Sequence, residues 1–251
     1  MYYLLQPLRV IWKAYFFVLF ALTLTVYYLP MRWALQKPSR FYKAFRFMRA
    51  WSWWLMTLTG LFVRRRGGNN LPDGPFIICP NHSSYLDIIS MYRVFRRYLV
   101  FMGKTEINTW PLFHIFFSSG MNISVNRESL RGARNAFEHA KEELRKGHNV
   151  VIYPEGTIPK SAPKMIPFKN GAFKLSMEEN IPIVPVTFTR NFMRLQAGPA
   201  LKRLGGPGMV EAIIHDPVYP KDYADKGMTA MKKDIFATIE KPLKERYGNY
   251  G

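Results

Sequence analysis

Residues 76–97 read FIICPNHSSYLDIISMYRVFRR, and the fold turns on them. Phe76–Cys79 is a short β-rich run, Pro80-Asn81 is a turn signal, and Leu86–Arg97 carries apolar residues at helical spacing. The same alternation continues downstream. Further β-rich runs stand at Leu99–Met102, Asn122–Val125, Asn149–Tyr153, Ile183–Phe188 and Met209–Ile214. Helix-like stretches at Ser129–Arg145 and Ala172–Glu179 lie between them, and Met228–Arg246 closes the chain as an amphipathic helix. Alternation of this kind predicts an α/β layered domain with a largely parallel central sheet.

Upstream, Gly67-Gly68-Asn69-Asn70 is a loop signal, and the chain before it has a different character. Residues 1–66 contain eleven Lys and Arg and no Asp or Glu, whereas the whole chain of 251 residues carries +19. Two apolar runs lie among those charges, Ala14–Leu29 and Ala50–Val63, the second ending at Arg64-Arg65-Arg66. Basic residues flanking greasy runs mark a surface for anionic lipid, while nucleic-acid binders set their charge on a folded polar face. No A-x-A cleavage pattern follows the first run, which argues against a secretory leader. At about 1.5 Å per residue the first run spans roughly 24 Å, short of a bilayer core. The expectation is therefore a membrane-associated helical hairpin over 1–66, monotopic on the cytoplasmic face of the inner (plasma) membrane, with two full spans as the alternative. A catalytic domain is expected over 67–251. One cysteine excludes an intrachain disulfide, and the five dispersed histidines give no paired metal ligands.

In α/β folds, chemistry collects beyond the carboxyl ends of strands. His82 follows the first strand and Asp87 stands five residues later. On one continuous helix these side chains would point about 140° apart. They can meet only if His82 lies in the turn and Asp87 in the first turn of the helix. A neutral His so placed can take a proton from a substrate hydroxyl while the carboxylate fixes its tautomer. The alternative reading of the motif is a helix-capping turn with an incidental His. Other polar ends follow other strands: Gly103-Lys104-Thr105-Glu106, Met121–Arg127 (MNISVNR) and Tyr153-Pro154-Glu155-Gly156-Thr157. Arg127 suits bidentate phosphate binding. Gly198–Gly208 reads as a mobile basic loop, either a plain connection or a lid over the donor.

Together, NHSSYLD, MNISVNR, YPEGT and IPIVPV resemble, in order and spacing, the sequence blocks of the glycerolipid acyltransferase superfamily, specifically the 1-acylglycerol-3-phosphate (lysophosphatidic acid) acyltransferases. The resemblance covers Phe76 to Phe188. Two positions depart from the family pattern: Met121 stands where a glycine is common, and Ile158-Pro159-Lys160-Ser161 replaces the usual Arg-Ser after Glu-Gly-Thr.

The resemblance implies transfer of a fatty acyl group from a thioester to the sn-2 hydroxyl of lysophosphatidic acid. His82 would be the general base and Asp87 its orienting partner. Arg127 and Lys104 would hold the phosphate, and Glu155, Gly156 and Thr157 would position the glycerol. Lys160 or Lys164 would supply the charge that the departure removes. No cofactor is expected beyond the acyl-coenzyme A or acyl carrier protein that brings the acyl group. Another lysolipid acceptor, or a non-catalytic protein that binds anionic membrane, are the alternatives. Cys79 and Ser83 are read as structural, not as nucleophiles.

Overall fold

The computed structural model describes residues 6–105, 114–126, 129–199 and 203–248. Helix α1 (Gln6–Leu35) and helix α2 (Phe41–Leu58) form an N-terminal pair, joined by a 3-10 turn at Pro38–Arg40. Phe16, Leu24 and Met31 of α1 are buried, as are Phe45, Trp51 and Leu55 of α2. The Trp51 indole N–H reaches Thr23 Oγ1 at 3.0 Å. The opposite face of α1 exposes Leu8, Ile11, Tyr15, Val18, Leu22 and Val26 at three- and four-residue spacing, a continuous apolar stripe. By length and composition, α1 could cross a membrane.

Strands β1 (Leu61–Gly67), β2 (Ile77–Pro80), β3 (Leu99–Lys104), β4 (Ile123–Val125), β5 (Asn149–Val151), β6 (Ile183–Phe188) and β7 (Gly208–Ile214) make one sheet. Its order is β1-β7-β6-β2-β5-β3-β4. Every pairing is parallel except β6 with β7. Helix α3 (Leu86–Val94) follows β2, α4 (His114–Ser118) precedes β4, and α5 (Leu130–Arg145) links β4 to β5. Helix α6 (Gly171–Glu179) precedes β6, the short α7 (Asn191–Arg194) follows it, and α8 (Gly227–Tyr247) ends the described chain. The expected α/β architecture with a largely parallel sheet is what the chain forms.

Strand β2 shows why its sequence is apolar throughout. Phe76 and Ile78 pack into a core with α1, α2 and α3, while Ile77 and Cys79 pack into a second core with α5, α6 and α8. A strand covered on both faces has no polar side to show.

Two expectations need correction. The apolar run Ala50–Val63 is not one element. Helix α2 stops at Leu58, Gly60 turns the chain with φ of +70°, and Leu61 begins β1. The boundary expected at Arg66/Gly67 therefore falls inside β1, whose residues pair in register with Gly208–Ile214. Nor is the hairpin a separate body, because Ser52 Oγ donates to the Ile89 carbonyl of α3 at 2.7 Å and both lie in one core. Among the described residues, the chain on either side of 200–202 is tied to its neighbours. Leu195 and Gly205 form an antiparallel bridge, Gln196 N donates to Leu204 O at 3.1 Å, and the buried Lys13 ammonium of α1 donates to the Arg203 carbonyl.

Candidate active site

The carboxyl ends of the parallel strands β2, β5 and β3 lie side by side, and the expected chemistry sits on them. Asn81 fixes the exit from β2. Its side-chain Oδ1 accepts from Phe188 N at 2.7 Å and its Nδ2 donates to Phe188 O at 3.1 Å, so the turn is tied to the end of β6. Residues 81–84 are not helical, and α3 starts only at Leu86. This puts His82 outside the helix and Asp87 in its first turn, and their side chains meet. His82 Nδ1 lies 2.9 Å from Asp87 Oδ2.

Asp87 is fully buried. Besides His82, its Oδ2 accepts from Ser83 N at 2.6 Å and Ser84 N at 2.9 Å, and its Oδ1 accepts from Asn191 Nδ2 at 2.8 Å. A carboxyl surrounded by donors is acceptor-only, so the proton of neutral His82 belongs on Nδ1. Nε2 then carries the lone pair. The His82 ring also lies against Tyr153, centroids 4.2 Å apart and planes 31° apart. The imidazole is held by a carboxylate at one edge and an aromatic face on one side, which is the arrangement a general base needs.

Glu155 is placed differently from the expectation. Its carboxylate is only 1% exposed, with Oε1 accepting from His82 N at 2.7 Å and Oε2 from Ile166 N at 3.0 Å. Both oxygens are therefore turned inward, and Glu155 clamps the backbone under His82 instead of reaching a substrate. Burial pushes its pKa from 4.5 up to about 7, against the pull of those two N–H groups. The folded chain thus holds a proton between these values that the unfolded chain has released. Its stabilising contribution is full below about pH 4.5 and is lost as pH rises through about 7. Urea unfolding at pH 5 to 8 is expected to show a slope, up to about 1.4 kcal/mol per pH unit, that Glu155→Gln lacks. Equal slopes in the two proteins would refute this.

Gly156 adopts φ of +74°, which suits glycine, and turns the chain away after Glu155. Thr157 and Lys160 are exposed on the loop that follows. Lys104 ends β3, exposed and level in register with Val125. Arg127, two residues beyond Val125, and Glu106 lie outside the described residues. A cavity of about 800 Å³ opens beside Tyr153 and Gly156, between α5 and α6. Met102, Val125, Phe137 and Ile152 give it an apolar lining, with Arg134 and Lys169 also on its wall.

Cys79 is fully buried, and burial pushes its thiol pKa far up, leaving it inert as a nucleophile. Ser83 lends its N–H to Asp87, while Ser84 Oγ accepts from Leu86 N at 3.0 Å and donates to Leu195 O at 2.6 Å. Two contributors go beyond what the motifs imply. Tyr153 opens the YPEGT block, which gives no hint of its contact with the His82 ring, and Asn191 stands 104 positions from Asp87.

A family model described as Acyltransferase matches residues 44–189. A 1-acyl-sn-glycerol-3-phosphate acyltransferase of Chlamydomonas reinhardtii is 27% identical over 179 residues, covering 70% of this chain and 53% of the relative. The chloroplastic enzyme of that name from Brassica napus is 31% identical, covering 61% of this chain and 44% of the relative. One from Helicobacter pylori is 29% identical, covering 57% and 60%. The chain thus spans about half the length of the curated relatives it matches. Among solved structures, the 1-acyl-sn-glycerophosphate (LPA) acyltransferase of Thermotoga maritima superposes with a TM-score of 0.75 over 100% of both chains. At 20% identity that likeness speaks to the fold.

Proposed function

Because the chain belongs to the Acyltransferase family, we propose that it moves a fatty acyl group from an acyl thioester to the sn-2 hydroxyl of lysophosphatidic acid, giving phosphatidic acid. The observation that carries this is the His82–Asp87 contact at 2.9 Å at the carboxyl ends of the parallel strands, which in a neutral imidazole favours the proton on Nδ1 and the lone pair on Nε2. The acceptor hydroxyl gives its proton to His82 Nε2 as its oxygen attacks the thioester carbonyl. Asp87 stabilises the imidazolium that forms. The tetrahedral intermediate then collapses, the carbon–sulfur bond breaks, and His82 returns the proton to the departing thiolate. This is the His–Asp half of a triad with the substrate alcohol in place of an enzyme serine.

Arg127 is assigned to the acceptor phosphate, with Lys104 beside it, while Gly156, Thr157 and Lys160 line the approach from the loop after β5. The hairpin is assigned to the membrane. The apolar stripe of α1 and the eleven basic residues before Gly67 would seat it on an anionic cytoplasmic surface, with the substrate lipids arriving from that side. Acyl-coenzyme A and acyl-acyl carrier protein both present the thioester that the chemistry requires.

The test is a panel of lysolipid acceptors incubated with labelled acyl thioester and the protein in phospholipid vesicles. Labelled phosphatidic acid is the expected product. A preference for an aminolipid acceptor would reassign the substrate, and no transfer to any acceptor would overturn the reading. In the same assay Cys79→Ala is expected to keep more than about half the activity, since a buried, protonated thiol takes no part. A trapped acyl-enzyme on Cys79 or Ser83 would sink direct attack by the acceptor.

A further inference from the structure

We propose that Asn191 is a positioning residue for the reaction, holding Asp87 in the orientation that keeps His82 protonated on Nδ1 and open on Nε2. Asn191 is fully buried at the start of α7, immediately beyond β6. Its Nδ2 lies 2.8 Å from Asp87 Oδ1 and 3.4 Å from Ser90 Oγ. The Ser90 hydroxyl itself donates to Leu86 O at 2.6 Å, so it offers Asn191 a lone pair. Both neighbours are therefore acceptors, and the amide must point its nitrogen at them, since the flipped form would set oxygen against oxygen. The division of labour on Asp87 follows. Oδ2 serves His82 and the two serine N–H groups, and Oδ1 is held chiefly by Asn191, because Ser83 Oγ stands 3.4 Å away. Without Asn191 the carboxylate is anchored at one oxygen and free to pivot against the imidazole.

The other half of the amide argues against a packing role. Among the described residues, Asn191 Oδ1 is buried with no donor, a burden that leucine at this position would not carry. A side chain selected only to fill this space would be apolar. The titratable groups around the pair are Glu155 and Tyr153 from the loop after β5 and Tyr92 from α3, while Arg190 and Arg194 flank Asn191 in sequence.

The inference rests on His82 as base, and its test separates the two. Asn191→Leu, which removes the unpaired Asn191 Oδ1 but also a donor from Asp87, is expected to melt within a few degrees of the parent and to keep both KM values within about twofold, while kcat falls about tenfold to 100-fold. A carboxylate with one donor fewer holds the imidazolium more tightly, so the acid limb of kcat/KM moves to higher pH. Nitrogen-15 NMR of the His82 ring without substrate should show Nδ1–H in the parent protein and mixed tautomers in Asn191→Leu. A kcat loss that only tracks the folded fraction, with the pH limb and the tautomer unmoved, overturns the role of Asn191 alone. More than a tenth of the parent kcat in His82→Ala overturns the mechanism beneath it.

Discussion

His82→Ala is expected to lower kcat by a factor on the order of 10³, within the 10²–10⁴ range that positioned acid–base groups supply. The substitution removes the proposed proton acceptor and leaves the rest of the site standing. Asp87 keeps Ser83 N, Ser84 N and Asn191 as donors, so no uncompensated charge is left in the core. Because His82 is partly exposed and Tyr153 remains beside it, the space opened is at the surface of the site. The melting temperature should therefore stay within a few degrees of the parent, and the KM for the thioester should hardly move. Steady-state kinetics with a thermal melt on the same preparation check both halves. Retention of more than a tenth of the parent kcat would remove His82 from the mechanism.

Asp87→Asn is the second large effect, and it differs in kind. The two side chains have one shape, but an amide presents two hydrogens where the carboxylate presents lone pairs. If the amide oxygen takes the Oδ2 place, its nitrogen faces Asn191 Nδ2, donor against donor. If it is reversed, nitrogen faces Ser83 N and Ser84 N and drives the His82 proton to the wrong ring nitrogen. Either arrangement leaves a buried donor unpaired and removes the charge that stabilises the imidazolium. The expected outcome is a 10²- to 10³-fold loss of kcat, together with about 1–3 kcal/mol of stability. Since the pair works as a unit, His82→Ala combined with Asp87→Asn should be no slower than the worse single variant. Multiplicative losses in the double variant would mean that the two residues act separately.

The architecture was legible where the signal is local. Six strands and four helices could be read off the chain because their apolar residues recur at the period of each element, and Ser129 does cap α5 through Gly132 N at 3.2 Å. Strand β1 was hidden by its surroundings. Leu61-Phe62-Val63 continues the apolar content of α2, and Arg64-Arg65-Arg66 looks like a charged flank, so only its partner β7 reveals it as a strand. The site divides along the same line. His82 and Asp87 are five residues apart across a turn signal, and that spacing is readable. Glu155 was found, but the direction of its carboxylate depends on the Ile166 N–H that the later chain brings back. Asn191 has no signature at all, since an asparagine after a strand is ordinary until a carboxylate from another element meets it.

The pairing of β1 with β7 sets an order of events during synthesis. Leu61 is partnered by Gly208, 147 positions later in the chain. At about 5–20 residues per second, β1 emerges roughly 7–30 seconds before the strand that covers its edge exists. The hairpin helices precede even β1, so an apolar stripe and a run of arginines meet the cell while the sheet is still unmade. A nascent chain arrested before Gly208 should expose Arg64–Arg66 to trypsin, and one extended past Ile214 should protect them. The polypeptide would then present its helical pair first and close its sheet last.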